Sequence, residues 1–151
     1  MSSKKTELAQ AARDNQLQAM ERLIAEGVSA DAKSGGGTPA LGLAAQGGHL
    51  DALKLLRRHG AKLEATDSER GVTALMVAAR NGKADCAEAL LEWGADKDAA
   101  DNDGWTALHY AAQWGQLECA RLLVRARADR AKKDYWGKTD CAEALLEWGA
   151  D

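Results

Sequence analysis

The chain has 151 residues, enough for one continuous core, and a composition of 46% hydrophobic and 28% charged residues that argues against wholesale disorder. A net charge of −3 argues against a generally basic nucleic-acid or membrane binder, and no apolar run approaches the roughly 20 residues that span a bilayer. The chain has five Trp and two Tyr but no Phe, so the core must consist of small and aliphatic residues.

The first residues and the cysteine count bear on the cellular compartment. Residues 1–7 lack the apolar stretch of a secretory signal. Three cysteines, an odd number, fit a reducing compartment better than a disulfide framework. We therefore expect an intracellular, cytoplasmic protein, with the nucleus as the alternative location.

Glycines recur along the chain with a period of 33 or 34 residues. The three series with this period are Gly37, Gly71, Gly104 and Gly137, then Gly48, Gly82 and Gly115, and then Gly27, Gly60 and Gly94. Three series with one period indicate a repeat architecture, in which each unit packs against its neighbours.

Within each period the pattern predicts a short first helix and a longer second helix. Thr73 and Thr106 precede first helices and can cap their exposed amides. In the second helices apolar residues recur at i, i+3 and i+4. Gly60 and Gly94 stand where a left-handed helix terminator belongs. The best-defined first helices are 75–79 and 108–112, and the best-defined second helices are 85–93 and 118–126.

The segment 104–112, Gly-Trp-Thr-Ala-Leu-His-Tyr-Ala-Ala, resembles the ankyrin-repeat signature Gly-x-Thr-Pro-Leu-His-x-Ala-Ala. A second helix follows it, as in that family. In the segment 37–45, Pro39 occupies the position where the signature has Thr. The other matching segments are 71–79, with Met76 in place of His, 37–45, and 8–27, which lacks the opening turn.

This resemblance implies an all-α solenoid of stacked turn–helix–helix units. It also implies that His109 is the structural histidine of the family, which bonds backbone atoms of the turn. The expected division is an N-terminal capping repeat over 1–33, repeat 2 over 34–66, repeat 3 over 67–100, repeat 4 over 101–133, and a truncated C-terminal capping unit over 134–151.

Two places depart from the pattern. Arg127 replaces a terminator glycine, and because a non-glycine residue at positive φ costs about 1 kcal/mol, we expect this helix end to be frayed or reshaped. Residues 140–151 repeat residues 85–96 letter for letter, yet they begin immediately after Thr139, so about one first helix and its loop are missing. We predict that 140–148 form one helix capped by Thr139, packed where the first helix of a fifth repeat would lie.

The sequence offers little support for catalysis, a cofactor or a metal. The three histidines, His49, His59 and His109, occupy different parts of their repeats and adjoin no recognisable nucleophile motif. Cys86 and Cys119 occupy equivalent places in second helices, and the cysteine spacing matches no zinc pattern. We expect no catalytic residue, cofactor or metal, and we expect these cysteines to pack as small apolar residues.

Most aromatic residues occupy positions that the repeat leaves free. Ankyrin proteins usually contact partners with their turn tips and the exposed ends of their first helices, and Trp105, Trp114 and Trp136 fall on that face. Aromatic side chains there suit an interface hot spot, although they could instead pack between turns and stiffen the stack. The positions that we assign to partner binding are Glu69, Val72, Arg80, Asn81, Asn102, Asp103, Trp105, Gln113, Trp114, Tyr135, Trp136 and Lys138.

Three further aromatic residues are expected to pack within the stack. Trp93 and Trp148 each precede a terminator glycine. Tyr110 replaces an interior aliphatic residue, so we expect its ring in the core and its hydroxyl bonded to a partner.

The resemblance implies a non-catalytic interaction module or adaptor that binds a protein partner through its turn tips and inner-helix groove. Basic residues in repeat 4 are diluted by acidic neighbours, so neither nucleic acid nor a membrane is expected as a partner. Three alternatives stay open: a fragment of a larger ankyrin protein whose activity lies elsewhere, a module that self-associates weakly through its C-terminal end, and a thiol- or metal-responsive protein.

Overall fold

The computed structural model describes residues 3–134, and this part of the chain forms eight α-helices and no β-strand beyond two isolated bridges. The predicted all-α solenoid is therefore confirmed. The predicted helix 140–148 lies outside the described residues. The helices are α1 (Lys4–Arg13), α2 (Leu17–Ala25), α3 (Ala40–Gly47), α4 (Leu50–Arg58), α5 (Ala74–Arg80), α6 (Ala84–Glu92), α7 (Ala107–Gln113) and α8 (Leu117–Arg125).

The helices form two layers that follow the order of the chain. The first helices α1, α3, α5 and α7 pack side by side, and the second helices α2, α4, α6 and α8 form the layer behind them. Each first helix also packs against the second helix of its own unit. One helix pair falls within each of the first four predicted units, although the exact boundaries of those units stay a prediction.

The core consists of two rows of leucine with alanine between them. One row runs through the first helices and the other through the second helices, and each of these leucines is at most 2% exposed. Alanine lets neighbouring helices approach closely, which explains a core that uses no Phe. The first row is Leu8, Leu41, Leu75 and Leu108, and the second row is Leu23, Leu56, Leu90 and Leu123.

The predicted threonine caps are present. The Thr73 hydroxyl accepts the N–H of Met76 at 3.3 Å, and Thr106 does the same for His109 at 3.4 Å. In return Nδ1 of His109 accepts the backbone N–H of Thr106 at 3.0 Å, so the structural role that the resemblance gave this histidine is confirmed. Pro39 precedes α3 as its N-cap residue and forms no side-chain cap, because proline has no side-chain acceptor.

The end of α8 contradicts the expectation of a frayed or reshaped terminus. Arg127 adopts a φ of +66°, close to the left-handed conformation of Gly94 at +92°. The Arg127 N–H still donates to the carbonyl of Val124, and the N–H of Ala128 donates to the carbonyl of Leu123, both at 2.9 Å. Because Leu123 and Ala128 are buried in the stack, their packing holds the turn in the conformation that glycine would adopt freely.

Candidate protein-binding surface

An aspartate shapes each of the last two complete turns between units. Oδ1 of Asp101 accepts the backbone N–H groups of Asp103 and Trp105, both at 2.9 Å. Oδ1 of Asp67 accepts two backbone N–H groups of the preceding turn in the same way, both at 3.0 Å. These bonds fix the backbone conformation of each turn, and with it the position of the turn tip and of the first helix that follows.

Asp101 is a site residue that the sequence analysis missed. It is only 3% exposed, and in addition to the two backbone bonds its Oδ2 accepts the hydroxyl of Tyr110 at 2.5 Å. The repeat period could have identified it, because a polar residue recurs at this position with spacings of 33, 34 and 33 residues. That series is Ser34, Asp67, Asp101 and Asp134.

Hydrogen bonds join each turn tip to the next one. The backbone N–H of Asn102 donates to the carbonyl of Arg70 at 2.9 Å, and its side-chain amide approaches the carbonyl of Glu69 at 3.4 Å. A Cβ on Gly71 would lie 2.6 Å from Oδ1 of Asn102 and would displace this amide, and the φ of +72° at Gly71 favours glycine in any case. Asn102 therefore aligns neighbouring tips in addition to the partner contact predicted for it.

Four rings on and beside α7 form what we call the aromatic cluster: Trp105, His109, Tyr110 and Trp114. The Tyr110 and Trp114 rings stack with centroids 5.8 Å apart, and Trp105 meets the edges of both at 5.2 and 6.1 Å. Tyr110 and Trp114 are four residues apart and so share one face of the helix. The cluster is a packed aromatic surface whose rings support one another.

The three largest rings of the cluster differ in exposure. Tyr110 is buried, which confirms its predicted place in the core, and Trp105 is half-buried and packs against the core. Trp114 is 48% exposed, and among the described residues no other large hydrophobic side chain is exposed. Trp105 thus fits both interpretations given above, because it stiffens the turn and also supports Trp114 from one side.

Arg80 reaches the aromatic cluster from the preceding unit. Its guanidinium carbon lies 5.3 Å from the centroid of the Trp114 ring, a cation–π contact. Its backbone carbonyl accepts the side-chain amide of Gln116 at 2.9 Å, which ties the end of α5 to the loop after α7. The surface is therefore built from two neighbouring units.

Burial and the bond to Asp101 set the ionisation of Tyr110. Removal from water raises the pKa of the Tyr110 hydroxyl well above its usual range, and donation to the Asp101 carboxylate raises it further. The hydroxyl therefore stays a proton donor at neutral pH and holds the ring in place.

The remaining predicted binding residues occupy turns and first-helix ends of repeats 3 and 4, or lie outside the described residues. Glu69, Asn81 and Gln113 are exposed, whereas Val72 and Asp103 are half-buried. Asp103 also forms an ion pair of 3.9 Å with Arg70 of the preceding turn. Tyr135, Trp136 and Lys138, which complete the predicted set, lie outside the described residues.

The two described cysteines pack in the interior. Cys86 and Cys119 are at most 1% exposed and free, and burial raises the pKa of each thiol to about 11. Protonated, inaccessible thiols of this kind react slowly. No group of three His, Cys, Asp or Glu side chains between residues 3 and 134 is arranged to hold a metal ion. Over the same residues no helix has the length and apolar character to cross a bilayer.

The comparisons agree with this architecture. The family model described as ankyrin repeats (3 copies) matches residues 8–101 and also residues 41–134, which together are most of the chain. The chain belongs to the ankyrin-repeat family. Such repeats generally serve as protein–protein interaction modules and are typically non-enzymatic. No curated protein matches the sequence.

Proposed function

We propose that this chain is a non-catalytic recognition module or adaptor that binds a protein partner through its turn tips and the exposed ends of its first helices. The observation that carries the proposal is Trp114, a 48% exposed tryptophan held by two rings of its own unit and by Arg80 of the unit before it. Tryptophan and arginine are the residue types that most often dominate binding energy at interfaces.

Preorganisation supports this assignment. A side chain that is ordered only on binding loses rotamer freedom, at a cost of about 0.5–1.5 kcal/mol for each long side chain. The contacts of Trp114 with Tyr110 and Trp105 hold its ring in the free protein, so less of that cost remains. The hydrogen bonds between turn tips restrict the surrounding backbone in the same way.

The polar residues around the aromatic cluster would supply specificity. Glu69, Asn81 and Gln113 are exposed, and Tyr135, Trp136 and Lys138 hold the turn positions of the next unit in the sequence. The negative net charge, and the acidic residues that interrupt the basic stretch of repeat 4, favour a protein over nucleic acid as the partner. The two buried free thiols fit a reducing compartment, so we propose the cytoplasm as its location.

Affinity capture from the source cell with Trp114→Ala tests the proposal. Trp114 is preferable to Trp105, because Trp105 also packs against the core and its removal would disturb the turn. The matched control is Trp93→Ala, which removes a half-buried tryptophan at the end of α6, in the layer of second helices. We expect Trp114→Ala to lose the captured protein and Trp93→Ala to retain it, with the native helix content unchanged in the first variant. Equal capture by both variants would refute the proposed surface.

A further inference from the structure

The charged groups near the aromatic cluster differ in whether they have a polar partner. Arg70 pairs with Asp103 at 3.9 Å, and the Asp101 carboxylate is buried and accepts the hydroxyl of Tyr110. Arg80 is exposed, and among residues 3–134 its guanidinium has neither an ion pair nor a hydrogen-bond acceptor, only the ring of Trp114. The charge in direct contact with the exposed ring of Trp114 is therefore a positive one that has no acidic partner among the described residues.

The contact with Trp114 prepares Arg80 to bind an anion. A cation–π contact engages the guanidinium through its charge and leaves its five N–H donors available for hydrogen bonds. Two of these donors match the two oxygens of a carboxylate, which makes a bidentate pair directional as well as strong. Because the ring restricts the arginine side chain, less rotamer entropy is lost when the pair forms.

We infer that the partner presents a peptide segment in which an Asp or Glu side chain stands beside a large apolar side chain. The carboxylate pairs with Arg80 and the apolar side chain packs on the exposed part of Trp114. A singly charged group fits better than a doubly charged phosphate, because Arg80 provides one positive charge and Asp101 and Asp103 lie nearby. This inference rests on the proposed function, because it specifies the ligand of the same surface.

Random peptides displayed on phage and selected against the full chain test the inference. We expect the enriched peptides to carry Asp or Glu within a few positions of Leu, Ile, Phe or Trp. With one synthetic enriched peptide, Arg80→Gln should weaken binding about tenfold, and the peptide with Asn or Gln in place of its acid should lose the same factor. Combining both changes should cause no further loss, because they remove the two halves of one pair.

Two further variants make the readout specific. Arg80→Lys keeps the charge without the bidentate fork, so its loss should be smaller than that of Arg80→Gln. Arg125→Gln removes an exposed arginine at the end of α8, in the other layer, and should bind like the native chain. The unfolding temperature of each variant verifies that the fold is retained.

The outcomes separate this inference from the proposed function. Peptides that need Trp114 but lack an acidic preference, or that are indifferent to Arg80→Gln, would overturn the inference and leave the surface in place. A selection that yields no peptide sensitive to Trp114→Ala would overturn the proposed surface, and the inference with it.

Discussion

The hydroxyl of Tyr110 donates a hydrogen bond of 2.5 Å to Oδ2 of Asp101, nine residues earlier in the same unit. Both side chains are buried, and the second oxygen of the carboxylate accepts the backbone N–H of Trp105. One aspartate therefore connects the turn tip to the ring on which Trp114 stacks. The geometry of the proposed binding surface depends on a bond in the interior.

Tyr110→Phe should destabilise the fold by about 1–3 kcal/mol, because it leaves one oxygen of a buried carboxylate without its donor. The ring itself is retained, so stacking with Trp114 should persist. Denaturant unfolding followed by circular dichroism measures the change. In the double variant with Asp101→Asn, the two effects should be clearly non-additive. A Tyr110→Phe variant as stable as the native chain would show that the bond contributes nothing.

The buried thiols should make stability depend on pH in the alkaline range. The pKa values of Cys86 and Cys119 rise from 9.0 to about 11 on folding, so the folded state holds these protons more tightly than the unfolded chain does. Their contribution is therefore complete below about pH 9 and is lost as the pH rises toward 11. Between about pH 8 and pH 10 each thiol should cost the native chain about 1.3 kcal/mol, so we expect it to lose about 2–3 kcal/mol more stability than the Cys86→Ala, Cys119→Ala double variant.

Unfolding midpoints of both proteins across that pH range measure this difference. Any cavity left by the two alanines lowers the stability of the double variant at every pH, so only the slope matters. Parallel slopes would contradict the prediction and would indicate that the thiols ionise as readily in the folded chain as in the unfolded one.

Much of the fold follows from local signals and from the period. Thr73 and Thr106 could be recognised as caps because capping involves residues only three positions apart. Gly60 and Gly94 could be recognised as terminators because left-handed backbone favours glycine over any other residue. The prediction of a frayed helix end at Arg127 was wrong for the opposite reason. Arginine disfavours the left-handed backbone of this turn, but the burial of Leu123 outweighs that local preference.

The candidate surface was less accessible to sequence reasoning. The period places Arg80 and Trp114 at the ends of neighbouring first helices, so their proximity could be anticipated. Their exposure could not, because it depends on how Tyr110 and Trp105 fill the space beneath Trp114. The buried bond between Tyr110 and Asp101 depends on side-chain packing within the unit, which no pattern of residue types records.

Deletion of residues 140–151 should lower the unfolding temperature by several degrees. The deleted segment repeats the sequence of α6, whose Leu90 is fully buried and whose Glu88 is exposed. If the copy packs through the same face, Leu145→Ser should reproduce most of the loss, because it corresponds to Leu90. The matched control is Glu143→Ser, which corresponds to Glu88 and should have little effect. Calorimetry of the three variants measures the shifts, and an unchanged melting curve on deletion would refute docking of this segment.

Arg127→Gly should stabilise the fold by about 0.5–1 kcal/mol. It relieves a left-handed conformation that costs an ordinary residue about 1–2 kcal/mol, and the greater freedom of glycine in the unfolded chain offsets part of the gain. Arg127→Ala separates backbone strain from loss of the charged side chain: alanine retains a Cβ, so it should bring no comparable gain. Gly94→Ala is the reciprocal test, because a Cβ there meets no atom within 4 Å and any loss must come from the backbone. We expect that loss to be about 1 kcal/mol in denaturant unfolding. If Arg127→Ala stabilised the chain as much as Arg127→Gly, the effect would belong to the side chain and the strain at this turn would be negligible.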